Sequence, residues 1–242
     1  MDIFILSGQS NMSGRGGVAH RIWDGVVPPE ALPNPSILRF NAESQWEEAR
    51  EPIHTDIDTA KTCGIGPGMP FANAVLGSSS SSSGRSVGLV PCAVGGTAIL
   101  EWERGSNLYE QMVRRAKESV ASSPGGVIRA VLWYQGESDT DSERDADSYK
   151  RRLEKFIANV RADLGFPSLP FIQVAIASGF NKLYIIKVRK VQKEVKLPNV
   201  ACVDAQGLPL NDDHLHLTTA AQVHLGKMLS EVYLHQFASH PS

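Results

Sequence analysis

The sequence predicts an α/β protein built on a parallel, doubly wound sheet. Short apolar runs alternate with segments of helical period. Several of the runs are apolar throughout, as strands covered on both faces are. Polar, glycine-bearing turns follow the runs, and sheets of this class place their sites outside the carboxyl ends of their strands.

Taken in order, residues 3–6 (IFIL) form the first strand, and the chain leaves it through "SGQSNMSG" at 7–14. Residues 14–35 carry glycine and Pro28, Pro29 and Pro33 with few apolar positions, which reads as a long surface loop. A second strand at 36–40 is followed by another long loop, 41–70, ending in "CGIGPGMPF". Loops of this length in a compact fold are more often functional than idle. The low-complexity stretch "GSSSSSSGRS" (77–86) reads as a flexible connector between a helix and a third strand at 87–94. Leu108, Tyr109, Met112, Val113, Ala116 and Val120 then recur at helical spacing. After a strand at 128–134 comes a second amphipathic set: Tyr149, Leu153, Phe156, Ile157, Val160 and Leu164. A strand at 171–177, a helix over about 183–196, a strand at 200–203 and a helix from 218 to about 237 complete the alternation. No linker divides the chain, so one domain over residues 1–242 is expected.

Composition narrows the function classes. Apolar residues make up 42% and charged residues 21%, which suits a soluble globular protein with a sizeable core. A net charge of -2 provides no field that would gather nucleic acid or acidic lipid, and no apolar run is long enough to span a membrane. Cys63, Cys92 and Cys202 are odd in number and widely spaced, which argues against a zinc site and a disulfide framework. Free thiols lean towards a cytoplasmic location.

Four polar turns follow predicted strands: "GQSN" (8–11), "AVGGTAI" (93–99), "WYQGESD" (133–139) and "NDDHLHLTTAAQ" (211–222). Acyl transfer needs a serine, a base to take its proton and a carboxylate to hold the base. Ser10 is the candidate nucleophile. Asp213 and His216, three apart, allow the carboxylate to accept from Nδ1 and leave Nε2 for Ser10; Asp212 and His214 compete on spacing alone. An oxyanion requires donors. The Ser10 N–H, the backbone of Gly95 or Gly96, and the Gln135 amide are candidates. Gln9, Asn11, Glu137 and Trp102 are candidate substrate contacts, and Trp23, Trp46 and Arg104 also suit sugar rings.

"GQSNM", "GGT", "WYQGESD" and "DDHLHLT", in that order over residues 6–218, resemble the SGNH-type, GDSL-like hydrolases. Within these they resemble the carbohydrate acetylesterase branch of acetylxylan esterases and sialate O-acetylesterase-like proteins, which has plant members. The resemblance implies a flavodoxin-like, three-layer α/β/α fold. It also implies deacetylation of sugar hydroxyls with no cofactor and no metal, acetylated carbohydrate being the partner. It places Ser10 on the nucleophile, Asp213 and His216 on acid and base, and Gly95 or Gly96 on the glycine donor. Two departures stand out: Gln9 where the superfamily often has Asp, and Gln135-Gly136-Glu137 where it has Asn. Gln135 takes the donor role in this reading. Esterases or thioesterases for other small acyl groups, and a non-catalytic carbohydrate-binding module, are the competing functions.

Overall fold

The computed structural model describes residues 1–78 and 84–238. The middle of the serine-rich connector, residues 79–83, lies outside the described residues. The elements in chain order are β1 (Asp2–Gly8), α1 (Ser10–Ser13), β2 (Val18–Ala19), β3 (Ile22–Trp23), β4 (Ile37–Phe40), β5 (Trp46–Glu48), α2 (Gly68–Gly77), β6 (Val87–Pro91), α3 (Asn107–Ala121), β7 (Val127–Tyr134), α4 (Glu143–Leu164), β8 (Phe171–Ala175), α5 (Lys182–Glu194), β9 (Val200–Asp204) and α6 (Thr219–Gln236).

Seven strands form one sheet in the order β5-β4-β6-β1-β7-β8-β9. All neighbours run parallel except β5, which pairs antiparallel with β4 at the edge. The six apolar runs of the sequence are the six parallel strands. β2 and β3 form a separate small hairpin inside the first long loop.

Alternation along β1 shows how the two faces are covered. Phe4 meets Phe71 of α2 and Tyr233 of α6 edge to face, whereas the Ser7 hydroxyl reaches Met112 of α3. Residues 4 and 7 point to opposite faces of a strand. Thus α2 and α6 cover one face, and α3, α4 and α5 the other, giving the three-layer α/β/α arrangement. Glycine permits the close approach of α2 and α6: a Cβ on Gly226 would lie 2.6 Å from the Pro67 carbonyl oxygen. On the other face, Trp102, Trp133, Phe156 and Phe171 form an aromatic cluster around α4.

Caps fix the helix ends. The Ser142 hydroxyl accepts from the Asp145 N–H at the start of α4, and Gly165 at φ +71° ends it. Thr218 caps α6 by accepting from the Ala221 N–H, immediately after the "DDHLH" turn. The turns after β1, β6, β7 and β9 lie along the carboxyl edge of the sheet, where the geometry below brings them into contact. No helix of the described residues is long and apolar enough to cross a membrane, and the three cysteines are free.

Candidate active site

β1 ends where only glycine fits. Gly8 sits at φ +128°, and a Cβ there would come within 2.1 Å of the Tyr134 carbonyl oxygen. The Gln9 N–H then donates to that oxygen at 2.8 Å, and the chain turns into α1. The N–H groups of Met12 and Ser13 donate back to the Gln9 carbonyl, while the Ser10 N–H has no acceptor among the described residues.

The structure brings residues from both ends of the chain together. The Ser10 hydroxyl lies 2.9 Å from His216 Nε2, and His216 Nδ1 lies 2.6 Å from Asp213 Oδ2. Because the carboxylate can only accept, Nδ1 carries the ring proton and Nε2 is the acceptor facing Ser10. Asp213 Oδ1 accepts from the backbone N–H groups of Leu215 and His216, both at 2.9 Å. Burial by itself would push the Asp213 carboxyl up, but these N–H groups and the His216 ring outweigh it and hold it below the ordinary carboxylate range. His214, at φ +55°, is exposed, and neither it nor Asp212 takes part in this relay. The spacing left Asp212 and His214 open; the fold selects Asp213 and His216.

Asn11, expected to meet substrate, is fully buried and does something else. Its Oδ1 accepts from the Leu217 N–H at 2.9 Å, and its Nδ2 donates to the Leu215 carbonyl at 3.3 Å and to Glu137 Oε1 at 2.7 Å. The residue after Ser10 therefore grips both residues flanking His216. Glu137 is likewise fully buried, so it does not reach a substrate. Its second oxygen, Oε2, has no partner among the described residues. Burial pushes its carboxyl up to about 7 against the opposing hydrogen bond from Asn11.

The amide donors also require correction. Gln135 is fully buried, and its Nε2 donates to Asp139 Oδ2 at 2.6 Å and the Thr97 carbonyl at 2.9 Å, with Gln9 Oε1 at 3.2 Å. A side-chain amide has two hydrogens, so nothing remains for an oxyanion. Gln9, expected among the substrate contacts, differs in being held by its oxygen. Its Oε1 accepts from the N–H groups of Gly136 and Ser138, both at 3.3 Å, and lies 3.2 Å from Gln135 Nε2. Its Nε2 is left with no acceptor among the described residues.

Of the two glycines, Gly95 lies against Ser10, for a Cβ on it would come 3.3 Å from the Ser10 Cβ. However, its N–H donates to Asp58 Oδ2 at 3.1 Å. Gly96, at φ +78°, is exposed, and its N–H has no acceptor among the described residues.

No motif or spacing in the sequence marks Asp58 or Arg15. Asp58 is 1% exposed and Arg15 6%. Asp58 Oδ2 takes the Arg15 guanidinium, the Ser13 hydroxyl at 2.9 Å and the Gly95 N–H, so one carboxylate ties the 41–70 loop to the Ser10 turn and the glycine turn. Arg15 also donates to the Gly14 carbonyl and the Ser13 hydroxyl, each at 2.8 Å. A buried Arg–Asp pair has no periodic signature, which is why irregular loops conceal it.

Trp102 and Trp46 are held by the core and the sheet edge, and neither is placed as a sugar platform. Trp102 is fully buried, packed edge to face on Trp133, with its Nε1–H donated to the Thr97 hydroxyl. Trp46 closes the sheet edge against Phe40 and donates to the Ser119 carbonyl. Arg104 pairs with Asp163. No group of His, Cys, Asp and Glu among the described residues is arranged to hold a metal ion.

A family model described as carbohydrate esterase, sialic acid-specific acetylesterase, matches residues 1–235. A probable carbohydrate esterase of Arabidopsis thaliana is 60% identical over 241 residues, spanning 97% of this chain and 91% of that protein. Among solved structures, an Arabidopsis thaliana protein aligns with a TM-score of 0.94 and 58% identity over 98% of this chain and 99% of its own. NanS aligns with a TM-score of 0.75 at 16% identity, covering 97% and 96% of the two chains. A carbohydrate acetylesterase from Xanthomonas citri aligns with a TM-score of 0.69 at 21% identity, over 99% of this chain and 57% of that one. At those last two identities the likeness is one of fold.

Proposed function

Because the chain belongs to the carbohydrate esterase family of sialic acid-specific acetylesterases, and so is a carboxylic ester hydrolase acting on carbohydrate acetyl groups, we propose that it works through an acetyl-Ser10 intermediate. The observation that carries this reading is the relay from Ser10 Oγ to His216 Nε2 at 2.9 Å and from His216 Nδ1 to Asp213 Oδ2 at 2.6 Å. Membership of an esterase family sets aside the non-catalytic module.

In the first half-reaction Ser10 Oγ attacks the acetyl carbonyl carbon as its proton passes to His216 Nε2. The ring becomes a cation that Asp213 stabilises. The Ser10 N–H, Gln9 Nε2 and the Gly96 N–H form the set of donors for the tetrahedral oxyanion, and each such donor is worth a few kcal/mol of barrier. Collapse breaks the bond to the sugar oxygen, which takes the proton from Nε2 and leaves as an alcohol. In the second half, water gives a proton to Nε2 and attacks the acetyl-Ser10 carbonyl. The intermediate then collapses and releases acetic acid, which ionises to acetate, as His216 Nε2 returns its proton to Ser10 Oγ.

The test is acetate release from acetylated xylan, simple sugar acetates and O-acetylated sialic acid, with wild type and Ser10→Ala side by side. Ser10→Ala is expected to lose about a thousandfold or more in turnover while remaining folded. Full activity in Ser10→Ala overturns the reading.

A further inference from the structure

We propose that Glu137 is a positioning residue that holds the catalytic base through Asn11: its Oε1, accepting from Asn11 Nδ2 at 2.7 Å, fixes which way the Asn11 amide faces. The inference rests on the Ser10–His216 reading and names a role that reading lacks.

The connection is short. Asn11 follows the nucleophile directly, and its amide spans the base, with Oδ1 on the Leu217 N–H and Nδ2 towards the Leu215 carbonyl. These two residues are the chain neighbours of His216. An amide has two faces of nearly equal shape, and flipping it would set Nδ2 against the Leu217 N–H and Oδ1 against the Leu215 oxygen. Both contacts would then be lost. Glu137 adds to the cost of the flip, because a flipped Asn11 would set an amide oxygen against the carboxyl oxygen that now accepts from Nδ2. Secondary supports surround this node. The Ser178 hydroxyl donates to the same Leu215 carbonyl at 2.5 Å, and Gln222 Nε2 donates to the Asn11 carbonyl at 3.0 Å. The Asn11 side chain is thus oriented by the Leu217 N–H, by the Leu215 carbonyl and, at the shortest of the three distances, by Glu137 Oε1.

Glu137 does this from inside the protein. It is fully buried, it begins the turn Ser138–Thr140, and its carbonyl accepts from the Thr140 hydroxyl at 2.6 Å, so its backbone is fixed as well. No path leads from it to substrate, so it acts on the reaction only through Asn11 and the His216 loop.

Hydrolysis of 4-nitrophenyl acetate by four variants tests this. Glu137→Ala removes the shortest hydrogen bond of the Asn11 amide and loosens its hold on the His216 loop, and a base displaced by about an ångström costs on the order of a hundredfold. The expected result is a fall in kcat of about 10- to 100-fold with KM within about threefold. Glu137→Gln can present its carbonyl oxygen to Asn11 Nδ2 and is expected to stay within about threefold of wild type in kcat. Asn11→Asp sets a carboxylate oxygen against Glu137 Oε1 and is expected to be at least as impaired as Glu137→Ala. The double variant Asn11→Asp/Glu137→Gln reverses donor and acceptor and is expected to recover about tenfold or more over Asn11→Asp alone, a coupling that independent sites do not show.

Wild-type kcat in Glu137→Ala overturns the proposal, as does Glu137→Gln being as impaired as Glu137→Ala. Should Glu137→Ala not fold, Glu137→Gln and the double variant still decide it: no recovery in the double variant counts against it. Ser10→Ala measured alongside separates the two claims. An inert Ser10→Ala with an unaffected Glu137→Ala removes this inference alone, whereas an active Ser10→Ala removes the mechanism beneath it.

Discussion

Asp58→Asn removes a charge from beneath the site without changing the side chain's size. In the native protein the Arg15 guanidinium is 6% exposed and finds its counter-charge on Asp58, itself 1% exposed. The substitution leaves a buried cation without a partner, which costs about 3–5 kcal/mol when one member of a buried pair is lost. The same oxygen also serves the Ser13 hydroxyl and the Gly95 N–H, and an asparagine oxygen can keep these only as weaker, uncharged hydrogen bonds. For a chain of this length about 2–4 °C is lost per kcal/mol, so a drop of roughly 6–20 °C in Tm is expected. Turnover should fall as well, because the Gly95 turn that Asp58 anchors packs on Ser10. Thermal unfolding by far-UV circular dichroism measures the first effect and 4-nitrophenyl acetate hydrolysis the second. Lys187→Ala is the control, since its pairs with Glu143 and Asp147 are exposed and worth under about 1 kcal/mol. An Asp58→Asn protein within a degree or two of wild type would refute the view that this ion pair supports the site.

Other outcomes follow from the same geometry. Asp213→Asn keeps the shape but lets the imidazole take the wrong tautomer, so kcat should fall by about a hundredfold or more with little change in Tm, as read by parallel kinetics and unfolding. Burial raises the Glu137 carboxyl to about 7 in the folded protein. Its contribution to stability is therefore complete below the unfolded pKa of about 4.5 and is lost as pH rises through 7, up to about 3 kcal/mol. Unfolding measured from pH 5 to 8 should show Tm falling in wild type and a flatter profile in Glu137→Gln. Gly8→Ala should fail to give folded protein, because its Cβ would overlap the Tyr134 carbonyl; normal yield and Tm would contradict this.

The fold was readable because its central strands are buried on both faces and so are apolar throughout. Runs such as "IFIL" and "VLWY" announce themselves for that reason. β5 gave no such signal: it is a three-residue edge strand, "WEE", whose antiparallel pairing with β4 depends on the intervening turn. α2 was also hidden. Its first turn, "GMPF", carries the glycine and proline of a loop, and it is helical because it packs against α6 and against Leu6, which a Cβ on Gly68 would meet at 2.7 Å.

The relay of Ser10, Asp213 and His216 was legible because local motifs carry it, one on each terminal segment. What spacing does not encode is the direction of an amide or the interior of a loop. Gln9 and Gln135 are chemically equal in the sequence. Only the fold shows that Gln135 spends its donors on Asp139 and Thr97 while Gln9 is held by its oxygen. Trp102 could equally have met a sugar or a core, and the aromatic cluster around α4 took it.

The central claim is that Ser10 carries the acetyl group between the two half-reactions. Acid-quenching the enzyme during turnover of 4-nitrophenyl acetate and mapping the acetylated peptide by mass spectrometry tests it directly. One acetyl group on the peptide containing Ser10, absent from Ser10→Ala, is the predicted result. An acetyl group on a different residue, with turnover undiminished in Ser10→Ala, would contradict it.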